Sequence, residues 1–198
     1  LYSKGKKFID LSYGSGTLIL GHGSNIQMKI FKNLVKKKLS LFSGPNRYTL
    51  DFTKTLKKIL PVHYNKIIFC NSGTEAVIKS LRIARAISGK KLIINVSGSW
   101  HGSVDQLLYN ANKEMKPVKI SDGLNKDEKK NIIYVPYNDF KSTIKILNKN
   151  KNKAACILIE PIQGSLPNET SYEYLKKLSE YSKKNKIILI FDECTSGF

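Results

Sequence analysis

Residues 66–89, KIIFCNSGTEAVIKSLRIARAISG, set the architecture of everything downstream of them. Ile67, Ile68, Phe69 and Cys70 form a short apolar, partly β-branched run, the pattern of a buried strand. Ser72-Gly73-Thr74-Glu75 follows and matches the S-x-x-E box that opens helices. Val77, Leu81, Ala84 and Ile87 then recur at helical spacing, and Gly89 supplies a C-terminal stop. The reading is strand, tight turn, helix. A helix mouth presents unpaired N–H groups and a partial positive charge, which suits an anion such as phosphate. Gly73 permits close approach to the backbone, and Ser72 and Thr74 add hydroxyls. Taken alone, the corner fits two roles for Ser72: a plain helix cap, or part of an anion cup.

Working outward, the same alternation continues to the end of the chain. Strands are expected at 66–70, 91–96, 132–135, 155–159 and 187–191. Helices are expected at 74–88, 139–149 and 172–185. The span 103–130 is less regular, and residues 110–131 read as a surface excursion. This βαβα rhythm predicts an α/β fold with a largely parallel sheet covered by helices. Residues 1–60 differ: a Gly-rich stretch, YGSGTLILGHGS, precedes two basic amphipathic segments, IFKNLVKKKLS and LDFTKTLKKIL. The expected division is therefore an N-terminal segment, 1–60, leading into a larger domain, 61–198.

Ligands of such sheets sit beyond the carboxyl ends of the strands, so the residues following each strand carry most weight. After the first come Asn71-Ser72-Gly73-Thr74. After the second come Ser97-Gly98-Ser99-Trp100-His101-Gly102. The fourth ends in Glu160-Pro161 and the fifth in Asp192-Glu193. One rim thereby gathers a phosphate-ready turn, an aromatic side chain, a histidine and three carboxylates. Trp100 fits either a core anchor or a face for stacking a flat ligand. His101 is either a satisfied polar residue or a group that orients a cofactor. Asp192 closes the apolar run IILIF, where a carboxylate is costly unless paired. Backbone N–H groups, a basic side chain or a protonated ring nitrogen would each pair it. Glu160 reads as structural, and Glu193 faces solvent or a structural partner. A phosphate cup, an aromatic stacker and a carboxylate for a ring nitrogen are the parts that hold pyridoxal phosphate, which needs a lysine as well.

Composition narrows the alternatives. The net charge of +19 invites a nucleic-acid reading. Yet 31 of the 34 basic residues are lysine, the exceptions being Arg47, Arg82 and Arg85. Base readout and bidentate phosphate clamping favour arginine. The lysines are spread along helix faces, as in YLKKLSEYSKKNK, so a nucleic-acid module is the weakest reading. No apolar run approaches the ~20 residues of a membrane span, and no signal-peptide pattern opens the chain. Cys70, Cys156 and Cys194 lie in or beside apolar runs without metal spacing, and an odd count suits a reducing, cytoplasmic compartment. No metal site, P-loop, complete dinucleotide fingerprint or G-x-S-x-G elbow is present. A chain that begins at Leu1 and stops at Phe198, just after a strand, reads as a fragment of a longer protein.

NSGTEA (71–76), WHG with Asp105 (100–105), PYND (136–139), EPIQG (160–164) and FDECTSGF (191–198) stand in the order of the class III, fold-type-I PLP-dependent aminotransferases. FIDLSYGSGTLILGHG (8–23) resembles the N-terminal region of the same family. HGSVD and PYND favour the branch of glutamate-1-semialdehyde 2,1-aminomutase and its aminotransferase relatives. The resemblance implies that Ser72, Gly73 and Thr74 bind the cofactor phosphate. It places Trp100 on the pyridine ring, where the family usually has Tyr or Phe, and His101 beside it. Asp192 would pair with the ring nitrogen. It further implies a homodimer acting on a small amino or keto substrate, with no nucleic-acid or membrane partner. Two departures stand out. Ser165 occupies a position where aminomutases usually carry Asn and many transaminases Glu. The Schiff-base lysine of the family belongs beyond Phe198, so residues 1–198 by themselves are not expected to turn over substrate. A relative that keeps the fold as a non-catalytic binding protein is the alternative expectation.

Overall fold

The computed structural model describes residues 2–39, 44–125, 127–167 and 171–197. The chain divides into two compact units, Leu1–Ile68 and Phe69–Phe198. In the first, the antiparallel pair β1 (Tyr2–Ser3) and β2 (Lys6–Lys7) precedes a turn-rich run and two helices, α1 (Asn25–Lys36) and α2 (Arg47–Ile59). Asp10 organises the Gly-rich run: its carboxylate accepts from the Ser12 and Tyr13 N–H groups and lies 2.7 Å from His22 Nε2. Those hydrogen bonds, His22 first, hold the Asp10 carboxyl below its ordinary range. Asn46 caps α2, accepting from the Thr49 N–H at 3.0 Å while Thr49 Oγ1 accepts from the Asn46 N–H. Neither helix buries a residue.

The second unit carries the expected alternation. It contains α3 (Gly73–Ser88), β3 (Leu92–Val96), a 3-10 turn (Asp105–Leu107) and the hairpin β4 (Tyr109–Ala111) with β5 (Pro117–Lys119). A second 3-10 turn (Glu128–Asn131) leads to β6 (Ile132–Val135), α4 (Phe140–Asn150), β7 (Ala154–Ile159), α5 (Tyr172–Lys184) and β8 (Ile188–Phe191). Local chemistry sets the helix starts. Ser72, Asp139 and Ser171 each accept from the N–H three residues on, satisfying a donor that the first turn leaves unpaired. Gly89 ends α3 in the left-handed conformation at φ +66°.

Four strands form one parallel sheet in the order β6-β3-β7-β8. Side chains alternate between its faces. Ile94, Val96, Ile157 and Ile159 pack with Leu147 of α4 and Leu178 of α5. Ile93, Cys156 and Leu158 pack on the other face with Val77, Leu81 and Ala84 of α3 and with Tyr109 and Tyr134. All six residues of β7 are buried, as a central parallel strand requires. Full burial of a side chain such as Ile157 or Leu178 stabilises by about 1.5–3 kcal/mol. The three cysteines are unpaired, and burial pushes the Cys156 thiol up to about 12.

One expected strand is absent. Residues 66–70 run into the α3 corner without joining the sheet, and Ile68 is 63% exposed. Its apolar pattern is that of a strand, but a strand exists only beside another, and no sheet among the described residues includes it. The excursion 110–131 is more ordered than expected, since it holds the β4–β5 hairpin.

The order of connections defines a crevice. From β3 the chain passes to β6 on one side, whereas from β7 it passes to β8 on the other. The carboxyl ends of β3 and β7 therefore flank the topological switch point, where open α/β sheets bind ligands.

Candidate active site

Three segments meet beyond that edge: the mouth of α3, the loop 97–103 after β3, and residues 192–194 after β8. Loop 97–103 is anchored across the switch point by Glu160 at the end of β7. The Trp100 N–H donates to Glu160 Oε2 at 2.7 Å, and the Glu160 N–H donates to Ser99 Oγ at 3.3 Å. Gln163, buried at 1% exposure, donates through Nε2 to the Ser97 carbonyl at 2.8 Å and to Ser99 Oγ at 3.2 Å. Ser165 Oγ donates to the Gly98 carbonyl at 3.1 Å. Glu160 thus has the structural part its sequence position suggested. Gln163 carried no such signal beyond its place inside EPIQG, and only the fold shows its part.

Two glycines are required here. Gly98 has φ +89°, and a Cβ on it would stand 2.7 Å from Gln163 Oε1. Gly102 has φ +73°, and a Cβ on it would press on Thr74, 3.0 Å from its Cα. The loop consequently lies flat against the first turn of α3. Thr74 Oγ1 accepts there from the Ser103 N–H at 3.0 Å.

Ser72 does cap α3, its Oγ accepting from the Glu75 N–H at 3.2 Å. Glu75 Oε2 returns to accept from the Asn71 N–H at 2.9 Å, and Lys79 pairs with Glu75 at 2.6 Å. The Asn71 and Lys79 hydrogen bonds, in that order, hold the Glu75 carboxyl below its usual range. Capping does not use up the donors of this helix mouth. A hydroxyl that accepts one bond keeps its own proton to donate, and this holds for both Ser72 and Thr74. The Gly73 and Thr74 N–H groups meet no acceptor among the described residues. A Cβ on Gly73 would lie 3.0 Å from Cys194 Sγ, so the third segment also borders the mouth.

Trp100 is 58% exposed, held by its backbone with its ring free of the core. His101 lies the other way. It is buried at 3% exposure, with Nδ1 2.7 Å from Asp192 Oδ2 and Nε2 3.0 Å from Asn95 Oδ1. Any effect of His101 on a ligand therefore passes through Asp192. Asp192 Oδ1 also accepts from the Cys194 N–H at 3.2 Å. Burial alone would raise the Asp192 carboxyl, but the hydrogen bonds from His101 and Cys194 outweigh it and hold the group below its ordinary range. The residues fit pyridoxal phosphate: an N–H and hydroxyl cup for the phosphate, an exposed indole, and an ionised carboxylate held from behind. Among the described residues, no group of three or more His, Cys, Asp or Glu is placed to hold a metal ion.

A parallel sheet wound about a crevice, with a helix mouth and a buried carboxylate on one rim, is the design of fold-type-I PLP-dependent transferases. The sequence pattern of the family Aminotransferase class-III matches residues 2–198, and the chain belongs to that family. The glutamate-1-semialdehyde 2,1-aminomutase of Methanocaldococcus jannaschii is 34% identical over 203 residues, covering 98% of this chain and 46% of that protein. The protein of the same name from Hydrogenobaculum sp. is 36% identical over 201 residues, with the same coverage. A solved structure described as a transaminase with PLP bound superposes with a TM-score of 0.84 at 27% identity, covering 95% of this chain and 44% of that one. The chain spans about half the length of the curated relatives it matches.

Proposed function

We propose that the protein transfers an amino group with pyridoxal phosphate, as a glutamate-1-semialdehyde aminomutase-like enzyme or a class III transaminase. The observation that carries this reading is the meeting of the α3 mouth, Trp100 and Asp192 at the switch point. Ser72, Gly73 and Thr74 would bind the phosphate through two N–H groups and two hydroxyls, at the positive end of the α3 dipole. Trp100 would cover the ring. Asp192 would hold a proton on the ring nitrogen, where an ionised carboxylate stabilises it. The bound cofactor supplies an electron sink for the carbanion left by proton loss from the substrate. Residues 61–198 would then be the cofactor-binding large domain, and 1–60 the segment leading into it.

The remaining lysine is expected C-terminal to Phe198, in keeping with relatives about twice as long. A homodimer is the assembly we infer, supported by α1 and α2, neither of which buries a residue, and by the exposed Ile26, Ile30, Phe31 and Val35 of α1. A cytoplasmic location fits three unpaired cysteines. No helix among the described residues is long and apolar enough to cross a membrane.

The test is borohydride reduction of the full-length protein with PLP, followed by peptide mapping. A single modified lysine beyond Phe198 is expected. Modification at a lysine within residues 1–198, or none in a folded protein, would overturn the assignment.

A further inference from the structure

The loop that carries Trp100 follows β3, but side chains beyond a different strand set its course. Each of four successive loop residues is bonded to the segment 160–165 that follows β7. The Ser97 carbonyl accepts from Gln163 Nε2 at 2.8 Å, and the Gly98 carbonyl accepts from Ser165 Oγ at 3.1 Å. Ser99 Oγ accepts twice, from Gln163 Nε2 at 3.2 Å and from the Glu160 N–H at 3.3 Å. The Trp100 N–H donates to Glu160 Oε2 at 2.7 Å. Glu160 and Gln163 are both buried, and no buried side-chain nitrogen or oxygen among the described residues lacks a hydrogen-bond partner. Buried polar groups are costly unless met in this way, so the network favours one course of the loop over others.

The far end of the loop is tied separately. Gly102 lies against Thr74, the Ser103 N–H donates to Thr74 Oγ1, and the His101 ring is held between Asn95 and Asp192. Between these ties the Trp100 indole stands in solvent. An exposed ring has no core to lodge in and takes its position from its own backbone. That backbone is fixed by Glu160, through the N–H of the same residue, and by Gln163, through the two residues before it but one.

We propose that Glu160 and Gln163 are positioning residues for Trp100: they hold the indole at the rim in its binding position before any ligand arrives. A ring already in place spares the ligand the ordering of a side chain and a loop. That the ligand is PLP rests on the functional reading above. The pre-set position of Trp100 does not.

The experiment is amide hydrogen exchange, read by NMR on the full-length, cofactor-free protein labelled with 15N-tryptophan. The Trp100 signals are identified by their loss in Trp100→Phe. The Trp100 backbone amide is expected to exchange roughly 10-fold or more below the unprotected rate, although its side chain is exposed. Exchange at the unprotected rate would overturn the proposal, whatever the variants do. Glu160→Ala removes the acceptor and is expected to abolish the protection, whereas Glu160→Gln keeps an acceptor oxygen and is expected to retain it. Gln163→Leu leaves the Trp100 N–H bond in place but releases Ser97 and Ser99, and is expected to speed exchange and shift the indole N–H signal. If the two side chains merely closed the sheet edge, folded Glu160→Ala and Gln163→Leu would melt at lower temperature with unchanged Trp100 signals, and that result would also overturn the proposal. In protein that takes up PLP, Glu160→Ala and Trp100→Ala should each weaken binding roughly 10-fold. The double variant should lose less than the product of the two, and a full product would overturn the route from Glu160 through Trp100. Because exchange is recorded without PLP, a protein that protects Trp100 yet binds no cofactor would sink the functional assignment and leave this result standing.

Discussion

Replacing Gly102 with alanine tests whether the loop after β3 must lie against the mouth of α3. Two effects add. At φ +73° a Cβ costs roughly 1–2 kcal/mol of backbone strain. The same atom would crowd Thr74, with its Cα at 3.0 Å and its Cβ at 3.1 Å. Overpacking of this kind costs about 1–3 kcal/mol where backbone cannot yield. Gly123 provides the control, since it has φ +83° and open space where a methyl group would stand. Gly123→Ala should therefore lose the strain term alone, and Gly102→Ala should lose about 2 kcal/mol more. Equilibrium urea unfolding followed by circular dichroism would read that difference directly. The mechanism also predicts a local effect. Moving Gly102 off Thr74 breaks the Ser103 N–H bond to Thr74 Oγ1 and disturbs the cup, so PLP affinity in a spectral titration should fall roughly 30-fold for a loss of about 2 kcal/mol. Equal stability of the two alanine variants, with PLP affinity unchanged at Gly102→Ala, would refute the reasoning.

Two further outcomes are expected. The Asp192 carboxyl is held below its ordinary range in the folded protein, so its stabilisation is present above that range and lost as pH falls through the lowered value. Asp192→Asn should flatten the loss of stability on acidification below about pH 4, and in the loaded enzyme should reduce turnover far more than PLP affinity. An unchanged acid-unfolding profile would remove the His101–Asp192 pair from this role. Trp100→Ala should weaken PLP binding and alter the bound cofactor's spectrum while leaving the melting temperature nearly unchanged, because the ring is 58% exposed. A large fall in melting temperature with an unaltered spectrum would make Trp100 a core anchor.

The alternation of apolar runs with 3.6-period segments was enough to place β3, β6, β7, β8 and helices α3 to α5, because each buries one face against a common sheet. The placement of Trp100 and Asp192 beyond one sheet edge was legible for a related reason, and that of Ser72, Gly73 and Thr74 from the helix start they form. A parallel sheet delivers whatever follows its strands to one rim, so strand ends in the sequence predict neighbours in space. Residues 66–70 show the limit of this logic. Their side-chain pattern is that of a strand, but pairing is a property of the partner, which no local pattern carries. The burial of His101 behind Asp192, rather than on the rim beside Trp100, depends on a contact across 91 residues. Gln163 and Asn95 are further cases. Each is a single polar residue near or within an apolar run, and what it bonds to is decided by the strand order β6-β3-β7-β8. Local periodicity and capping, both written in the sequence, determined which groups reach the rim. The tertiary structure decided which of them face outward and which are held from behind, because hydrogen-bond direction is set only when distant donors and acceptors are brought together in a medium without water.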